Sequence, residues 1–489
     1  MGTTSVFCPY VYHGDPNVCA NASNVIFFAW NFKIAYAILI DTNRPFGMRR
    51  RPWMIFGWVG VLVILFVLYL MGSSLQADIW LTFLLLTQVM MMFADVAADG
   101  YSVELGHLEP PEQRGQILAT GQRIRFTFCI VASLMQTFLL NGVSTGPPNC
   151  QIGFDSCWAW GLSVDQFYGL LFFMTLILTA PVVWLQELTS TMASTHSLQF
   201  YFSEIWETMQ NQTFMYLMIF VVGVGALANY SIVVNYYMQY YIINLTNFQS
   251  GIDGTTSYIA LVFGIWLFQT YLINLNWRTT NYLSNIFGSL MLLLWIPAYY
   301  DLWGLQNAWY TIFIDLDASF IYGISQVLFS LSVIEISKPG QEATTYELIT
   351  TASNAASTVS SIIATQLLTP FDAVGCENVN GTCPANQVDI VDGRQGFNSS
   401  HGPRRFTIYA CSLIAASILF TLVFTPFLPR DREECRKWRE EGIRKGAQVL
   451  NGIVSSSLGF AVTVVIPVSS LSSEKKTYLT APFIYLFIL

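Results

Sequence analysis

The chain has 489 residues, of which 54% are hydrophobic and 11% are charged, and its formal net charge at pH 7 is −8. A soluble domain averages about 25% charged residues, so this composition excludes an ordinary water-soluble protein. The basic residues are concentrated in a few loops, without a basic groove or an RNA-binding motif, so we expect no nucleic-acid partner. Apolar runs recur along the whole chain and predict an all-α polytopic membrane protein in a lipid bilayer.

About twelve apolar stretches are predicted to cross the membrane, each near the ~20 residues that a helix needs to span the hydrocarbon. In chain order they are 25–41, 53–72, 79–101, 116–140, 164–185, 213–240, 256–275, 281–300, 308–334, 345–369, 406–428 and 447–471. The amphipathic segment between the fifth and sixth stretches is predicted to be a cytosolic linker between two helical bundles. The chain is therefore divided into an exoplasmic N-terminal loop (1–24), an N-terminal bundle (25–185), the linker (186–212), a C-terminal bundle (213–428), and a basic cytosolic segment with a further hydrophobic helix and short tail (429–489).

The basic residues predict which loops face the cytosol, because cytosolic loops carry an excess of Lys and Arg. Arg44 and the run Arg49–Arg51 follow the first span, and a dense basic run from Arg430 to Lys445 follows the eleventh. Single basic residues in three further alternate loops fall on the same side. One long loop on the other side carries three arginines and is the main exception.

Cysteines and glycosylation sequons agree with this orientation. Six of the nine cysteines fall pairwise in loops assigned to the exoplasmic side, as Cys8/Cys19, Cys150/Cys157 and Cys376/Cys383. Such pairs predict disulfide bonds formed in an oxidising compartment, with chance clustering as the alternative. Four sequons, at Asn21, Asn244, Asn380 and Asn398, fall on the same side. These signals predict a glycoprotein with an exoplasmic side and do not themselves separate the plasma membrane from an organelle membrane. Of the two locations, we expect the plasma membrane.

Charged residues inside the predicted spans are the strongest functional signal, because membrane-embedded charge is costly and usually marks a site. Lys33 lies midway along the first span, and Asp95 and Asp99 lie one helical turn apart in the third, so that they share a face. Arg123 and Arg125 follow early in the next span, and Arg125 is expected to point to a different face. A buried ion pair between an aspartate and Arg123 that serves only stability is the structural alternative.

The second predicted bundle carries charge as well. Asp315 and Asp317 lie in the ninth span, and Glu342 and Glu347 open the tenth. These groups are expected to face a cavity and to pair across it, with Lys33 and an arginine meeting a substrate carboxylate while an aspartate carries a coupling proton.

The loop after the first span is predicted to be a cytosolic gate. Asp41 stands at a helix end, Gly47 supplies a tight turn, and Arg49, Arg50 and Arg51 follow. An acid in this place can cap a helix or pair with an arginine, while the arginines can anchor at anionic headgroups. The order of these residues also resembles the loop between the second and third helices of major facilitator superfamily transporters.

Three segments in the right order resemble the folate-biopterin transporter family, a branch of that superfamily. They are Trp30 to Trp53, Ala94 to Gly115, and Gly340 to Asn354. The resemblance covers roughly residues 25–470 and implies two bundles that alternate access around a central site. It implies proton-linked transport of folates or pterins, whose carboxylates suit the basic residues and whose ring suits aspartates and aromatic side chains. The family's usual first helix is expected to be missing from this chain.

Two other functions remain open from the sequence. The loop that ends at Arg49–Arg51 also resembles that of sugar–cation symporters, although intramembrane Lys33 and Arg123 argue against a neutral substrate. A non-transporting membrane scaffold or receptor is the second alternative. We expect no enzyme, no cofactor and no metal site, because the sequence has no nucleophile elbow and no Cys/His metal spacing.

Overall fold

The structure is a computed structural model, and it describes residues 28–110, 115–143, 157–187, 198–226, 245–337, 342–368 and 402–438, together with a few single positions between these ranges. The last predicted span, 447–471, lies outside the described residues. So does most of the segment before residue 28, and the expectation of a missing first helix therefore stays an expectation.

Helices make up nearly all of the described chain. They are α1 (Lys33–Thr42), α2 (Arg51–Met71), α3 (Ala77–Leu108), α4 (Gln116–Leu139), α5 (Val164–Thr179), α6 (Leu198–Met209), α7 (Gln212–Gly225), α8 (Asn247–Leu267), α9 (Trp277–Met291), α10 (Trp295–Tyr299), α11 (Ala308–Ile336), α12 (Glu342–Leu368) and α13 (Gly402–Phe424). A 3₁₀ turn, Phe28–Phe32, leads directly into α1. The described part of the chain is therefore all-α, as predicted.

Local sequence fixes where several helices begin. Ser163 and Thr246 each form a capping box at the start of α5 and α8, which satisfies amide groups that the first helical turn cannot pair. Asn211 caps α7 by accepting from the amide of Thr213. Between α1 and α2, Gly47 adopts φ 75°, a left-handed conformation that favours glycine, and this reverses the chain.

Eight described helices are long and apolar enough to cross a membrane. They begin at Arg51, Ala77, Gln116, Val164, Phe248, Trp277, Ala308 and Pro403, and each corresponds to one of the predicted spans. The first predicted span is described as the turn Phe28–Phe32 plus the ten-residue α1. The tenth is the 27-residue α12, whose polar residues make it less apolar than the other spans.

The helices before the linker and those after it meet along two seams. α4 packs against α8, and α12 packs against α1 and α3. Within each set, α2 packs against α3 and α5, and α8 packs against α11. The α8–α11 contact is unusually close, because a Cβ added at Gly264 or at Gly323 would meet a backbone oxygen of the facing helix at 2.2 Å and 2.3 Å respectively.

The side that the arginine pattern assigns to the cytosol is called the cytosolic side below. Here α1 ends, α12 begins and α3 meets α11. Gly106 of α3 lies against Ile334 of α11, and Gly100 lies against Ala343 of α12. A buried apolar cluster that includes Val103, Leu331 and Ile334 fills this end of the molecule. The two sets of helices are therefore in direct contact at the cytosolic side.

Candidate functional site

A charge cluster lies buried between helices of both sets. Lys33 is 3% exposed, and its Nζ lies 2.6 Å from Asp95 Oδ2 and 3.5 Å from Asp99 Oδ2. The two aspartates face Lys33 together because they are four residues apart on α3. This confirms that they share a face and places three of the predicted site residues within contact distance.

Arg125 is the second cation of this cluster. Its Nη2 lies 2.9 Å from Asp95 Oδ1 and 2.8 Å from Asp99 Oδ1, so that it joins the two carboxylates from α4. Arg123, the residue favoured from the sequence, forms no ion pair with the residues that the structure describes. The expectation that Arg125 points elsewhere was therefore wrong, because the face of α4 that packs inward contains residue 125.

Glu347 of α12 completes the cluster from the other set of helices. Its side chain is fully buried, and its Oε1 lies 3.5 Å from Lys33 Nζ. Its Oε2 accepts a hydrogen bond from the Thr350 hydroxyl. We call Lys33, Asp95, Asp99, Arg125 and Glu347 the central charge cluster. With every group ionised it holds two positive and three negative charges, and the Lys33–Glu347 pair connects the two sets of helices.

Uncharged side chains support the cluster. Gln122, one turn before Arg125 on α4, places its Nε2 3.4 Å from the Tyr346 hydroxyl of α12. Trp30 donates its indole N–H to Gln88 Oε1 of α3 at 3.0 Å, and Lys33 Nζ lies 4.9 Å from the centroid of the Trp30 ring. The ring therefore gives the ammonium group a further favourable contact.

A second ionic network lies on the cytosolic side, about two turns along α1 from Lys33. Arg49 Nη2 lies 3.2 Å from Asp41 Oδ1 and 2.8 Å from Glu342 Oε2. Arg50 Nη1 lies 2.7 Å from Asp41 Oδ1, and its Nη2 lies 2.8 Å from Glu104 Oε1. We call Asp41, Arg49, Arg50, Glu104 and Glu342 the cytosolic network. It contains three of the four predicted gate residues and Glu342, which the sequence had assigned to the substrate site.

Hydrogen bonds extend this network across the seam. Asp41 Oδ2 accepts from both the amide and the hydroxyl of Thr344, at 2.9 Å and 2.7 Å. Glu187, at the start of the linker, accepts from three successive amides at the beginning of α2, those of Arg49, Arg50 and Arg51. Such a carboxylate satisfies amides that a helix N-terminus leaves unpaired. The Arg51 side chain itself forms no ion pair within the described part of the chain.

The electrostatics keep this network charged. Burial by itself would lower the pKa of Arg50, but the carboxylates of Asp41, Glu104 and Glu342 raise it above its usual range. A permanently charged arginine held between two sets of helices stabilises the arrangement in which they touch. These contacts join α1, α3 and α12 on the cytosolic side.

The predicted aspartates of α11 lie away from the central charge cluster. Gln239 donates to Asp315 Oδ2 at 2.6 Å, and the same side chain also bonds Asp253 of α8. Asp317 forms no ion pair with any described residue. Neither Asp253 nor Gln239 was singled out from the sequence. The aspartates thus form a separate acidic group within the second set of helices.

Most of the predicted disulfide and glycosylation positions lie outside the described residues: Cys8, Cys19, Cys150, Cys376, Cys383, Asn21, Asn244, Asn380 and Asn398. Cys157 is described and buried. The three cysteines outside the predicted pairs, Cys129, Cys411 and Cys435, are free thiols. In the described part of the chain, no group of three His, Cys, Asp or Glu side chains could hold a metal ion.

Solved transporter structures share this fold. The structure of FucP, a major facilitator superfamily transporter in the outward conformation, is 12% identical and covers 82% of this chain and 89% of its own, with a TM-score of 0.52. The Escherichia coli fucose:proton symporter FucP gives 12% identity, coverages of 86% and 94%, and a TM-score of 0.55. A bacterial homologue of the iron transporter ferroportin, in an outward-facing state, is 13% identical to this chain. The match covers 87% of this chain and 95% of the homologue, with a TM-score of 0.52.

At these identities the likeness concerns the fold alone, and no curated protein sequence matches the chain. The family match is more specific, because the model of the BT1 family matches residues 1–382. Together with the apolar helices, these findings identify a multi-pass membrane protein with a transporter fold. The chain belongs to the BT1 family, the folate-biopterin transporters of the major facilitator superfamily.

Proposed function

We propose that this protein is a proton-coupled carrier of folate- or pterin-type organic anions. In this proposal the N-terminal bundle (25–185) and the C-terminal bundle (213–428) alternate access around a central site. The observation that carries the proposal is the central charge cluster, in which Lys33 of one set of helices pairs with Glu347 of the other. Buried charge of this kind in a membrane protein marks a substrate or ion pathway.

The cluster suits an anionic substrate because Lys33 can exchange partners. A substrate carboxylate that approaches Lys33 replaces Glu347, whose contact at 3.5 Å is longer than the 2.6 Å contact with Asp95. Arg125 remains bound to both aspartates at 2.8–2.9 Å and keeps them in place. Breaking the Lys33–Glu347 pair also removes one link between the two sets of helices, so substrate binding is connected to their separation.

The charge count of the cluster supports proton coupling. Two cations face three carboxylates, so an additional anion would enter a site that already carries one excess negative charge. A proton on Glu347 neutralises this excess and frees Lys33 for the substrate. The proposed order is therefore proton first and anion second, and both leave on the other side. Asp315 and Asp317, with Asp253 nearby, are proposed as further coupling positions.

The cytosolic network is proposed as the gate that keeps this site closed on one side. Asp41, Arg49 and Arg50 act through side chains, and Arg51 acts through its amide. Opening would require Glu342 and Thr344 of α12 to leave Asp41 and Arg49. We further propose a plasma-membrane location, disulfides within the three exoplasmic cysteine pairs, and glycosylation at the exoplasmic sequons.

The alternatives are addressed by the same features. FucP is a fucose:proton symporter, but its likeness to this chain concerns the fold alone. A carrier of neutral sugars does not require two cations paired with carboxylates inside its spans, and a scaffold or receptor does not require a charged pair between two sets of helices.

Uptake into proteoliposomes tests the proposal. Labelled folate, biopterin and fucose are offered to the full-length protein and to Lys33→Gln, with Lys33→Arg as the charge-conserving variant. We expect uptake of folate or biopterin but not of fucose, its loss in Lys33→Gln and partial retention in Lys33→Arg. Uptake of fucose alone, or folate uptake that is unchanged in Lys33→Gln, would contradict the proposal.

A further inference from the structure

A buried hydroxyl near the central charge cluster lacks a hydrogen bond in the described part of the chain. The side chain of Thr351 on α12 is 2% exposed, and its Oγ1 forms no hydrogen bond with any residue that the structure describes. Other helical threonines donate to the carbonyl four residues earlier, as Thr255 does to Gly251 and Thr358 does to Asn354. A buried hydroxyl without a hydrogen bond is unfavourable, so the position suits a hydrogen-bonding ligand.

Thr351 is placed beside the proposed substrate site. It lies four residues after Glu347 and therefore on the same face of α12, about 6 Å further from the cytosolic side. Glu347 on that face contacts Lys33. The Thr351 hydroxyl is thus one turn further from the cytosolic side than the Lys33–Glu347 pair.

Trp30 lies about one turn from Lys33 in the other set of helices. It precedes Lys33 by three residues, and its turn, Phe28–Phe32, packs against α12. The ring is partly exposed, unlike the buried Trp80, Trp277 and Trp295. Its N–H bond to Gln88 Oε1 fixes the orientation of the ring, and Lys33 Nζ lies 4.9 Å from the ring centroid. An indole that is fixed in orientation, partly exposed and beside a cation offers a stacking surface for a planar ring.

From this geometry we propose that Trp30 and Thr351 form a subsite that selects the heteroaromatic ring of the substrate, while Lys33 binds its carboxylate. This rests on the proposed function and adds to it the residues that recognise the ring. Trp30 stacks on the ring, and the Thr351 hydroxyl bonds a ring N–H or carbonyl group. Gln88 is a positioning residue, since it holds the indole without touching the ligand.

Competition for labelled folate uptake by the full-length protein in proteoliposomes tests this subsite with two probes. Biopterin has the pterin ring without the glutamate carboxylates, and p-aminobenzoylglutamate has the carboxylates without the pterin ring. Stacking of a base on an aromatic side chain is worth about 1–3 kcal/mol, which corresponds to roughly 5- to 150-fold in affinity. The half-inhibitory concentration of biopterin is therefore expected to rise by about tenfold or more in Trp30→Leu and in Thr351→Val, and that of p-aminobenzoylglutamate to stay within about twofold.

Matched variants control for the substitutions. Trp303→Leu changes an 87% exposed tryptophan in another loop, and Thr358→Val changes an exposed threonine on α12. Both are expected to behave as wild type, and Trp30→Phe is expected to retain much of the biopterin affinity.

Two outcomes separate this subsite from the wider proposal. In Trp30→Leu and Thr351→Val, inhibition by the two probes that weakens equally, or that does not change for either probe, would overturn the subsite while leaving anion transport intact. A wild-type protein that takes up no folate and is inhibited by neither probe would overturn the proposed function itself, and the subsite with it.

Discussion

Lys33 and Glu347 are 314 positions apart in the sequence, yet Lys33 Nζ lies 3.5 Å from Glu347 Oε1 in the interior of the helix assembly. One residue belongs to α1 and the other to α12, so the contact crosses the seam between the two sets of helices. Asp95, Asp99 and Arg125 surround it. The pair is therefore the point at which substrate binding, proton binding and separation of the two sets can influence one another.

Substitution of the two arginines of α4 should affect folate uptake to different degrees. Arg125→Gln should lower folate uptake by about 100-fold or more, because it leaves Asp95 and Asp99 with one buried cation, and removing one partner of a buried pair costs about 3–5 kcal/mol. Arg123→Gln should stay within about twofold of wild type. Initial rates of folate uptake into proteoliposomes measure both effects.

Loss of folding in Arg125→Gln is separated from loss of transport by the double variant Arg125→Gln/Asp95→Asn. This variant restores the charge balance of the cluster and should recover the amount of monodisperse protein on gel filtration. Equal effects of the two single variants would contradict the assignment of Arg125 to the cluster.

Glu347→Gln tests the proposed proton carrier. Because glutamine resembles the protonated acid, uptake in this variant should no longer respond to an imposed pH gradient, whereas exchange of internal for external folate should persist. Glu433→Gln, at an exposed position after α13, is the matched control and should keep the response. Gradient-driven accumulation by Glu347→Gln would assign the proton to another group, and Asp315→Asn would then be tested in the same way.

The cytosolic network should control access from the cytosol. Glu342→Gln removes one carboxylate from Arg49 and Arg50 and should weaken the closed arrangement by about 3–5 kcal/mol. Access is measured by placing a thiol at Ser337, a fully buried position on this side, and following its reaction with N-ethylmaleimide by mass spectrometry. The labelling rate of Ser337→Cys should rise at least tenfold in the Glu342→Gln background and should not change in Glu433→Gln. An unchanged rate in both backgrounds would show that the network does not hold this side closed.

The close contact between α8 and α11 should limit substitution there. Gly264→Ala or Gly323→Ala forces a Cβ against a backbone oxygen, and overpacking of this kind costs about 1–3 kcal/mol. Gly121→Ala is the matched control, because a Cβ at that position of α4 meets nothing within 4 Å. Thermal unfolding in detergent should show a lower midpoint for the first two variants only. Equal midpoints for all three would mean that the two helices separate more easily than their contact implies.

The sequence predicted the fold well, because spans are set by length and hydropathy, both of which are local properties. It also predicted that Lys33, Asp95 and Asp99 belong together, since helical periodicity puts the aspartates on one face. It could not place Glu342 and Glu347. They are five residues apart, and only the tertiary crossing of α12 over α1 sends one to the cytosolic network and the other to the central charge cluster.

The spacing of polar residues along α4 distinguishes Arg125 from Arg123. Polar or small residues recur along α4 at helical spacing, as Gln122, Arg125, Cys129, Ser133 and Thr137. Ser133 and Thr137 of this stripe contact α8 at Thr255 and Gly251, so the stripe is the buried face. A period of 3.6 residues includes residue 125 and excludes residue 123. Asp253 and Gln239 gave no comparable signal, because their association with Asp315 depends on how three separate segments pack.

Accumulation of labelled folate in proteoliposomes that contain the wild-type protein, with and without an inward proton gradient, tests the central claim most directly. The proposed function predicts accumulation above the external concentration with the gradient and collapse of that accumulation when a protonophore is added. Absence of folate uptake, or uptake that is the same with and without the gradient, would contradict it.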